Sequence, residues 1–396
     1  MGYTRLEPIG GRGRWGPARY AQTTSKSLLR RAFARDSLLR RLDWTLLLTV
    51  LALCAIGSLL VWSSSPKSYL VKQAINIVIG LILMFTVSSL DYRKMRMFAP
   101  VVYGVSLLGL VFVLVHGVAI NGSKSWINLP GGFQIEPSEY TKLALIGLSA
   151  TLLSGVRHSE TRPRLRAVAA VVGVTLVPLA LIVKEPDLGV TVLLVVLVVG
   201  MIALSGIKLR WLAAMIAGAA LSVYAVLHLH LLKAYQLSRL TSFLHPSANL
   251  QGNGYSAAQA KLAIGSGGMF GQGLFHGQLI AGNYVPEQNT DFIFTVAGEE
   301  LGFVGGVIII ALIAMLLLRA LRIAARADDQ FGMLVASGIA IWFAVQTFIN
   351  IGMTLGIMPV TGLPLPLVSY GGSAMFADMI AIGALQAVHR HHRVFS

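Results

Sequence analysis

The sequence predicts an all-α integral membrane protein, a polytopic bundle of ten transmembrane helices. Three observations carry that expectation: 55% of the 396 residues are hydrophobic and only 12% are charged, the mean hydropathy is +0.72, and long apolar stretches recur between short charged breaks. So much apolar surface exceeds what one soluble core can hide. A helix needs roughly 17 to 25 apolar residues to cross about 30 Å of hydrocarbon. Stretches of that size lie at 44–62, 69–90, 97–117, 140–156, 167–183, 188–205, 211–230, 292–318, 331–355 and 366–388.

Residues 1–41 mix Arg, Gly, Ser and Thr without apolar periodicity and read as a flexible basic tail rather than a domain. The tail is too long for the n-region of a secretory signal, and no small-residue cleavage site follows the first apolar run, so that span is expected to be a retained anchor. Cys54, the one cysteine, lies mid-span behind Leu53, which argues against lipidation and leaves neither an internal disulfide nor a cysteine zinc cluster.

The net charge of +16 raises the question of nucleic acid, but the placement of the charge answers it differently. Of the 32 Lys and Arg, 24 fall in the N-terminal tail, the segments 93–96, 157–166, 208–210 and 319–326, and the C-terminal tail. Ten crossings put all of these on one side, as the positive-inside rule requires of the cytoplasmic face. Both termini are therefore expected inside, the basic excess is topological, with contact to anionic lipid secondary, and no nucleic-acid partner is indicated. Lys67, Lys72, Lys124, Lys142, Lys184, Lys233, Arg239 and Lys261 remain, on or near the outer face.

Two outer connections are long: 118–139, and 231–290 between the seventh and eighth spans. Long connections in compact proteins tend to be functional. Within the larger one, 255–264 has the pattern of a short amphipathic helix, and the glycine-rich 265–273 reads as an irregular stretch, which at membrane depth must line a cavity or be buried in protein. No repeat of fixed period occurs, so 42–390 reads as one membrane domain followed by a short cytoplasmic tail, 391–396.

Half of the 16 acidic residues, Glu136, Glu139, Glu185, Asp187, Glu287, Asp291, Glu299 and Glu300, sit beside the outer ends of spans. Ionisable groups at that depth are costly and usually face a bundle interior or a wet cavity. Asp291, where a polar loop meets a helix, suits either an N-cap or a general base. Glu299 and Glu300 lie about 12 Å deeper at 1.5 Å per residue and suit helix-to-helix contacts better than catalysis. Lys184 to Asp187 forms a short hairpin, either a solvated turn or a cavity lining. Ahead of the fourth span, Ser138 or Glu139 is a candidate cap with Pro137 setting the first turn, and Glu139 and Lys142, at i, i+3, are able to neutralise each other. The glycines at 265–273 lack a preceding strand and a GKS or GKT sequence, which argues against a nucleotide site. Gly371 and Gly372 fit close packing as well as anion binding, and His389, His391 and His392 read as lipid-facing rather than metal-binding.

These residues together resemble the SEDS family of shape, elongation, division and sporulation proteins. The resemblance runs through Gln134, Pro137, Ser138, Glu139 and Lys142, then Pro186 to Gly189, then Ala263 to Gly268, then Thr290 to Phe294 with Glu299 to Gly302. It closes on Met358 to Pro366 with Ser369 to Ser373, and covers 42–390 in the family's order. Asn350 to Met353 and Met375 to Ala377 look more like the elongation members than the division members. Ser125 stands where many members have Arg, Asn249 where an acid is frequent, and Asp378 where Asn is usual.

The resemblance implies a peptidoglycan glycosyltransferase in the bacterial cytoplasmic membrane that polymerises lipid II on the outer side, with a class B penicillin-binding protein transpeptidase and the elongation machinery as partners. It implies that Asp291 is the essential aspartate and that Glu139, Lys142 and Asp187 line the cavity. The diphosphate leaving group supplies the driving force, so one base is sufficient: Asp291 takes the acceptor hydroxyl proton during inverting transfer. Lys184, Lys233, Arg239 or Lys261, or a divalent cation such as Mg or Mn, is expected to hold the departing diphosphate. The rivals are a lipid II flippase, which calls for polar residues through the whole membrane depth, and a recruiting scaffold, which does not need an ionisable Asp291.

Overall fold

The computed structural model describes residues 42–120, 123–129, 133–155, 165–228, 243 and 253–392. The tail 1–41, Lys233, Arg239 and Asn249 lie outside them. The described residues belong to a compact helical unit that begins at Leu42. In chain order its helices are α1 (Trp44–Ser64), α2 (Lys67–Ser89), α3 (Tyr92–His116), α4 (Pro137–Leu153), α5 (Leu165–Lys184), α6 (Leu188–Leu204), α7 (Leu209–His228), α8 (Asn253–Ser266), α9 (Gln278–Ala281), α10 (Ile293–Glu300), α11 (Gly302–Ala325), α12 (Gln330–Leu355) and α13 (Gly372–His392). Six of them, α1, α2, α3, α5, α11 and α12, are long and apolar enough to cross a membrane, and α6 and the first part of α7 are shorter apolar helices. The protein is a multi-pass membrane protein.

Side-chain caps and ion pairs tie one end of the bundle. Asp43 caps α1 by accepting the Leu46 N–H (3.1 Å). Its carboxylate also takes the Arg319 guanidinium of α11, with Nε at 3.0 Å, and its backbone exchanges hydrogen bonds with the Gln386 amide of α13 (2.8 and 3.1 Å). Asp43 is buried, and this full set of partners is what makes a buried carboxylate tolerable. At the same end Asp329 caps α12 through the Gly332 N–H and receives the Tyr92 hydroxyl, and His391 of α13 lies 3.1 Å from Asp91. That histidine contacts an acidic side chain at the protein surface.

The structure departs from the sequence reading in three places. The connection 118–139 carries a small antiparallel sheet, β1 (Val118–Ile120), β2 (Ser123–Leu129) and β3 (Phe133–Ile135), with Val118 opposite Trp126 and Ile127 opposite Ile135. It leads into α4, whose N-cap is Glu136 rather than Ser138 or Glu139, with Pro137 in the first turn where its missing N–H costs nothing. The tenth apolar stretch is helical only from Gly372, because Pro364 and Pro366 donate no N–H and Leu367 is left-handed (φ 63°).

The third departure is the eighth stretch, which is two helices. The chain breaks after α10 at Gly302, whose φ of +69° suits glycine and interrupts helical geometry. A break at membrane depth needs partners for its freed backbone groups. The glycine-rich segment after α8 supplies them: Gln272 and Gly273 N–H donate to the Glu299 and Glu300 carbonyls (2.9 and 3.0 Å), and Phe303 and Val304 N–H donate to Gly268 and Met269 carbonyls (2.9 and 3.1 Å). The helix over 253–266 and the irregular stretch behind it are thus one device. Contact is so close that a Cβ at Gly267 would lie 1.9 Å from the Gly298 oxygen. Gly267→Ala is accordingly expected to cost about 1–3 kcal/mol, as overpacking does, seen as a lower melting temperature of the purified protein in detergent.

Candidate functional site

The site grows from a charge that has no access to water. Lys142, one turn into α4, is fully buried. A buried ammonium persists only with a counter-charge and hydrogen-bond acceptors, and here it has both. Its Nζ lies 2.6 Å from Glu139 Oε2 and donates to Gln346 Oε1 (3.0 Å), while the Trp342 ring centroid stands 4.7 Å away. Trp342 Nε1 donates to the same Gln346 oxygen (2.7 Å), which leaves the Gln346 Nε2 to reach the Pro364 carbonyl (2.8 Å).

One turn further along α12, the Asn350 Nδ2 donates to the Leu363 carbonyl (2.7 Å) and the Asp291 carbonyl (2.8 Å). Both partners are acceptors, which fixes the orientation of the amide. Ser369 closes the same segment: its Oγ accepts the Leu365 N–H (2.8 Å) and donates to the Thr290 carbonyl (2.6 Å), while Tyr370 N–H donates to Asn289 (2.9 Å). Asp378 of α13, buried, accepts the Leu367 N–H (3.0 Å). The non-helical segment 361–370 is therefore laced by α12 and α13 side chains, and it is fastened to residues 289–291.

Asp291 is half-buried at the head of α10, with its carboxylate facing Gly362: a Cβ there would stand 3.4 Å from Oδ2. Asp187 meets the same segment from another side. It caps α6 through the Val190 N–H (3.0 Å), and Gly189 two residues on packs so closely that a Cβ would lie 2.8 Å from the Leu363 side chain and 3.1 Å from Thr361. Glu136 and Glu185 complete the acidic rim. Burial first, then the Glu139 and Asp187 charges, push the Glu136 carboxyl well above its ordinary range, and burial with Asp187 raises Glu185 to about 8. Both therefore hold a proton more readily than an ordinary glutamate.

The structure thus brings Asp187 and Asp291 to one loop and joins Glu139 and Lys142 to that loop through Gln346. Glu299 and Glu300 point elsewhere. Glu299 accepts the Leu279 and Ile280 N–H groups (2.8 and 3.1 Å) at the start of α9, and Glu300 accepts the Ser63 hydroxyl and the Phe275 N–H (3.2 Å). Lys184 is exposed at the end of α5. Lys261 of α8 lies across the C-terminal cap of α12, where a Cβ at Gly356 would be 2.2 Å from its Nζ. Among the described residues no group of three or more His, Cys, Asp or Glu is arranged to hold a metal ion.

Sequence reasoning assigned no role to Trp342, Gln346 and Asn350. Their signal is their spacing: three hydrogen-bonding side chains four residues apart in an apolar helix mark one face turned to the bundle interior.

Comparison with known proteins places these features. Residues 41–394 match the family model for the FtsW, RodA and SpoVE cell cycle proteins. The chain is 35% identical to the peptidoglycan glycosyltransferase MrdB of Escherichia coli K12, over 90% of this chain and 95% of the relative. It is 33% identical to the peptidoglycan glycosyltransferase RodA of Treponema pallidum, over 88% and 97%, and 36% identical to the stage V sporulation protein E of Bacillus subtilis, over 89% and 98%. A solved chain from a peptidoglycan synthase complex that coordinates polymerization and crosslinking superposes with a TM-score of 0.76 at 33% identity, covering 89% of this chain and 98% of that one. The rod shape determining protein RodA of Thermus thermophilus gives 0.65 at 30%, over 89% and 97%.

Removing one partner of the Glu139–Lys142 pair strands the other, so Glu139→Gln or Lys142→Met alone is expected to cost about 3–5 kcal/mol, and the double substitution less than the sum. Melting temperatures of the four proteins in detergent check this.

Proposed function

The chain belongs to the FtsW, RodA and SpoVE cell cycle protein family, and from that premise we propose that it polymerises lipid II into glycan strands with Asp291 as the general base. It is a peptidoglycan glycosyltransferase of cell elongation. The observation that carries the role of Asp291 is its setting: a half-buried carboxylate at the head of a helix, on a stretch held by hydrogen bonds from the Asn350 amide of α12 and the Ser369 hydroxyl of the segment 361–370. A cap alone does not call for such holding.

In the reaction, Asp291 takes the proton from the acceptor's 4-hydroxyl as its oxygen attacks the anomeric carbon of the donor. The carbon–oxygen bond to the diphosphate breaks from the opposite face, and the leaving group departs with the electron pair. A positioned base contributes roughly 100- to 10,000-fold. Lys142 is already neutralised by Glu139, and the groups proposed to hold the diphosphate are Lys184, Lys233, Arg239 or Lys261, or a divalent cation.

The distribution of Lys and Arg supports ten crossings with both termini in the cytoplasm, the long connection 231–290 outside, and the site on the extracytoplasmic side. A class B penicillin-binding protein is the transpeptidase partner that crosslinks the product, a reading supported by the likeness to a chain from a synthase complex.

The test incubates the purified full chain, with and without its transpeptidase, with lipid II and resolves the glycan chains on a gel. Wild type is expected to make polymer, and a folded Asp291→Asn to lose at least 100-fold in rate. Polymer from both removes Asp291 from the chemistry. No polymer from either, with lipid II translocation in liposomes, would replace the transferase by a flippase.

A further inference from the structure

The buried amide of Asn350 has a geometry that the reaction just described does not use. Its Nδ2 is shared between two carbonyls from separate segments, that of Leu363, 13 residues away, and that of Asp291, 59 residues away. The side chain has no exposed surface. The first turn of α10 begins one residue after Asp291, since the Thr295 N–H bonds to the Phe292 carbonyl. The recorded partner of the Asp291 carbonyl is Asn350, from a different helix.

A peptide unit is planar, so pinning the Asp291 carbonyl restrains the plane that carries its Cα and leaves only rotation about the Cα–C bond and the side-chain torsions to move the carboxylate. Here the pinned carbonyl belongs to the aspartate itself. The second carbonyl on the same amide belongs to the residue after Gly362, against which the Asp291 carboxylate lies. One NH2 group therefore sets the two walls of the base's position relative to each other.

We infer that Asn350 is a positioning residue for Asp291: by holding the Asp291 and Leu363 carbonyls on one buried amide, it sets where the carboxylate stands against the acceptor hydroxyl. The inference rests on the reading of Asp291 as the base. Asn350 touches neither substrate nor reacting atoms and acts through backbone alone. Gln346, one turn earlier on the same face, braces Pro364, whereas Asn350 holds the Asp291 carbonyl itself, so the two amides are not equivalent.

The experiment measures steady-state polymerisation of lipid II by the full-length protein for Asn350→Ala, the isosteric Asn350→Asp, Asp291→Glu, Asp291→Glu/Asn350→Ala and Asp291→Asn, with elution profile and melting temperature recorded for each. Misplacement of a reacting group by about 1 Å is able to cost about 100-fold, so folded Asn350 variants are expected to lose about 10- to 100-fold in kcat with KM for lipid II changed by less than about 3-fold. In the Asp291→Glu background, where the carboxylate already stands elsewhere, Asn350→Ala is expected to cost several-fold less. Three results overturn the inference: kcat within twofold of wild type, an equal loss in both backgrounds, or failure of both Asn350 variants to fold, which makes the residue structural. Full activity of Asp291→Asn sinks the base assignment and this inference with it, whereas an inactive Asp291→Asn beside a fully active Asn350→Ala sinks this inference alone.

Discussion

A lysine with no exposed surface inside a membrane bundle is the constraint from which the site is built. Lys142 cannot keep its charge there without an anion and cannot keep its N–H groups without acceptors. Glu139 and Gln346 meet those needs, and Trp342 adds its ring face. Because Gln346 spends its oxygen on Lys142 and Trp342, its NH2 turns toward the Pro364 carbonyl, which is one anchor of the segment beside Asp291. The ion pair on α4 is coupled to the placement of a loop that it does not touch.

That loop and the α10–α11 break are places, among the described residues, where helical geometry gives way inside a predicted span, and both are handled by the same physics. Backbone groups freed from a helix within hydrocarbon need partners from inside the protein. At 361–370 the partners are side chains of α12 and α13, which leaves the segment held from several directions. At the α10–α11 break the partner is backbone, the glycine-rich strip after α8, with Glu299 and Glu300 directed to further N–H groups. Asp291 stands at the head of α10, between the two. A reacting group so placed sits on braced backbone instead of a free loop, which suits catalysis by positioning.

Much of this was legible in the residues. The apolar stretches 44–62 and 188–205 coincide with α1 and α6 to within two residues, and the helix over 255–264 is found at Asn253–Ser266. Hydropathy continues unchanged across Gly302, so the break there was invisible to it; the polar pair Glu299 and Glu300 was the sole sign. It equally treated Pro366 to Tyr370 as span, although proline and a left-handed leucine keep that segment out of a helix. Asp291 stood out by motif; Asn350 did so only as part of the stretch that resembles the elongation members, and Gln346 not at all, because the role of an amide in an apolar helix is not visible until its partners are seen. The upward shifts of Glu136 and Glu185 depend on burial and on the nearby Asp187 charge, which no linear pattern encodes.

On the proposed reading a single braced carboxylate, that of Asp291, serves as the base for a direct displacement in one step. The anomeric configuration of the new linkage, determined by NMR on polymer made from lipid II of known configuration, tests that claim most directly. Inversion at the anomeric carbon is the result predicted for Asp291 acting as base. Retention would contradict it, because retention needs two displacements through a covalent glycosyl-enzyme, and Asp291 would then be a nucleophile or a bystander.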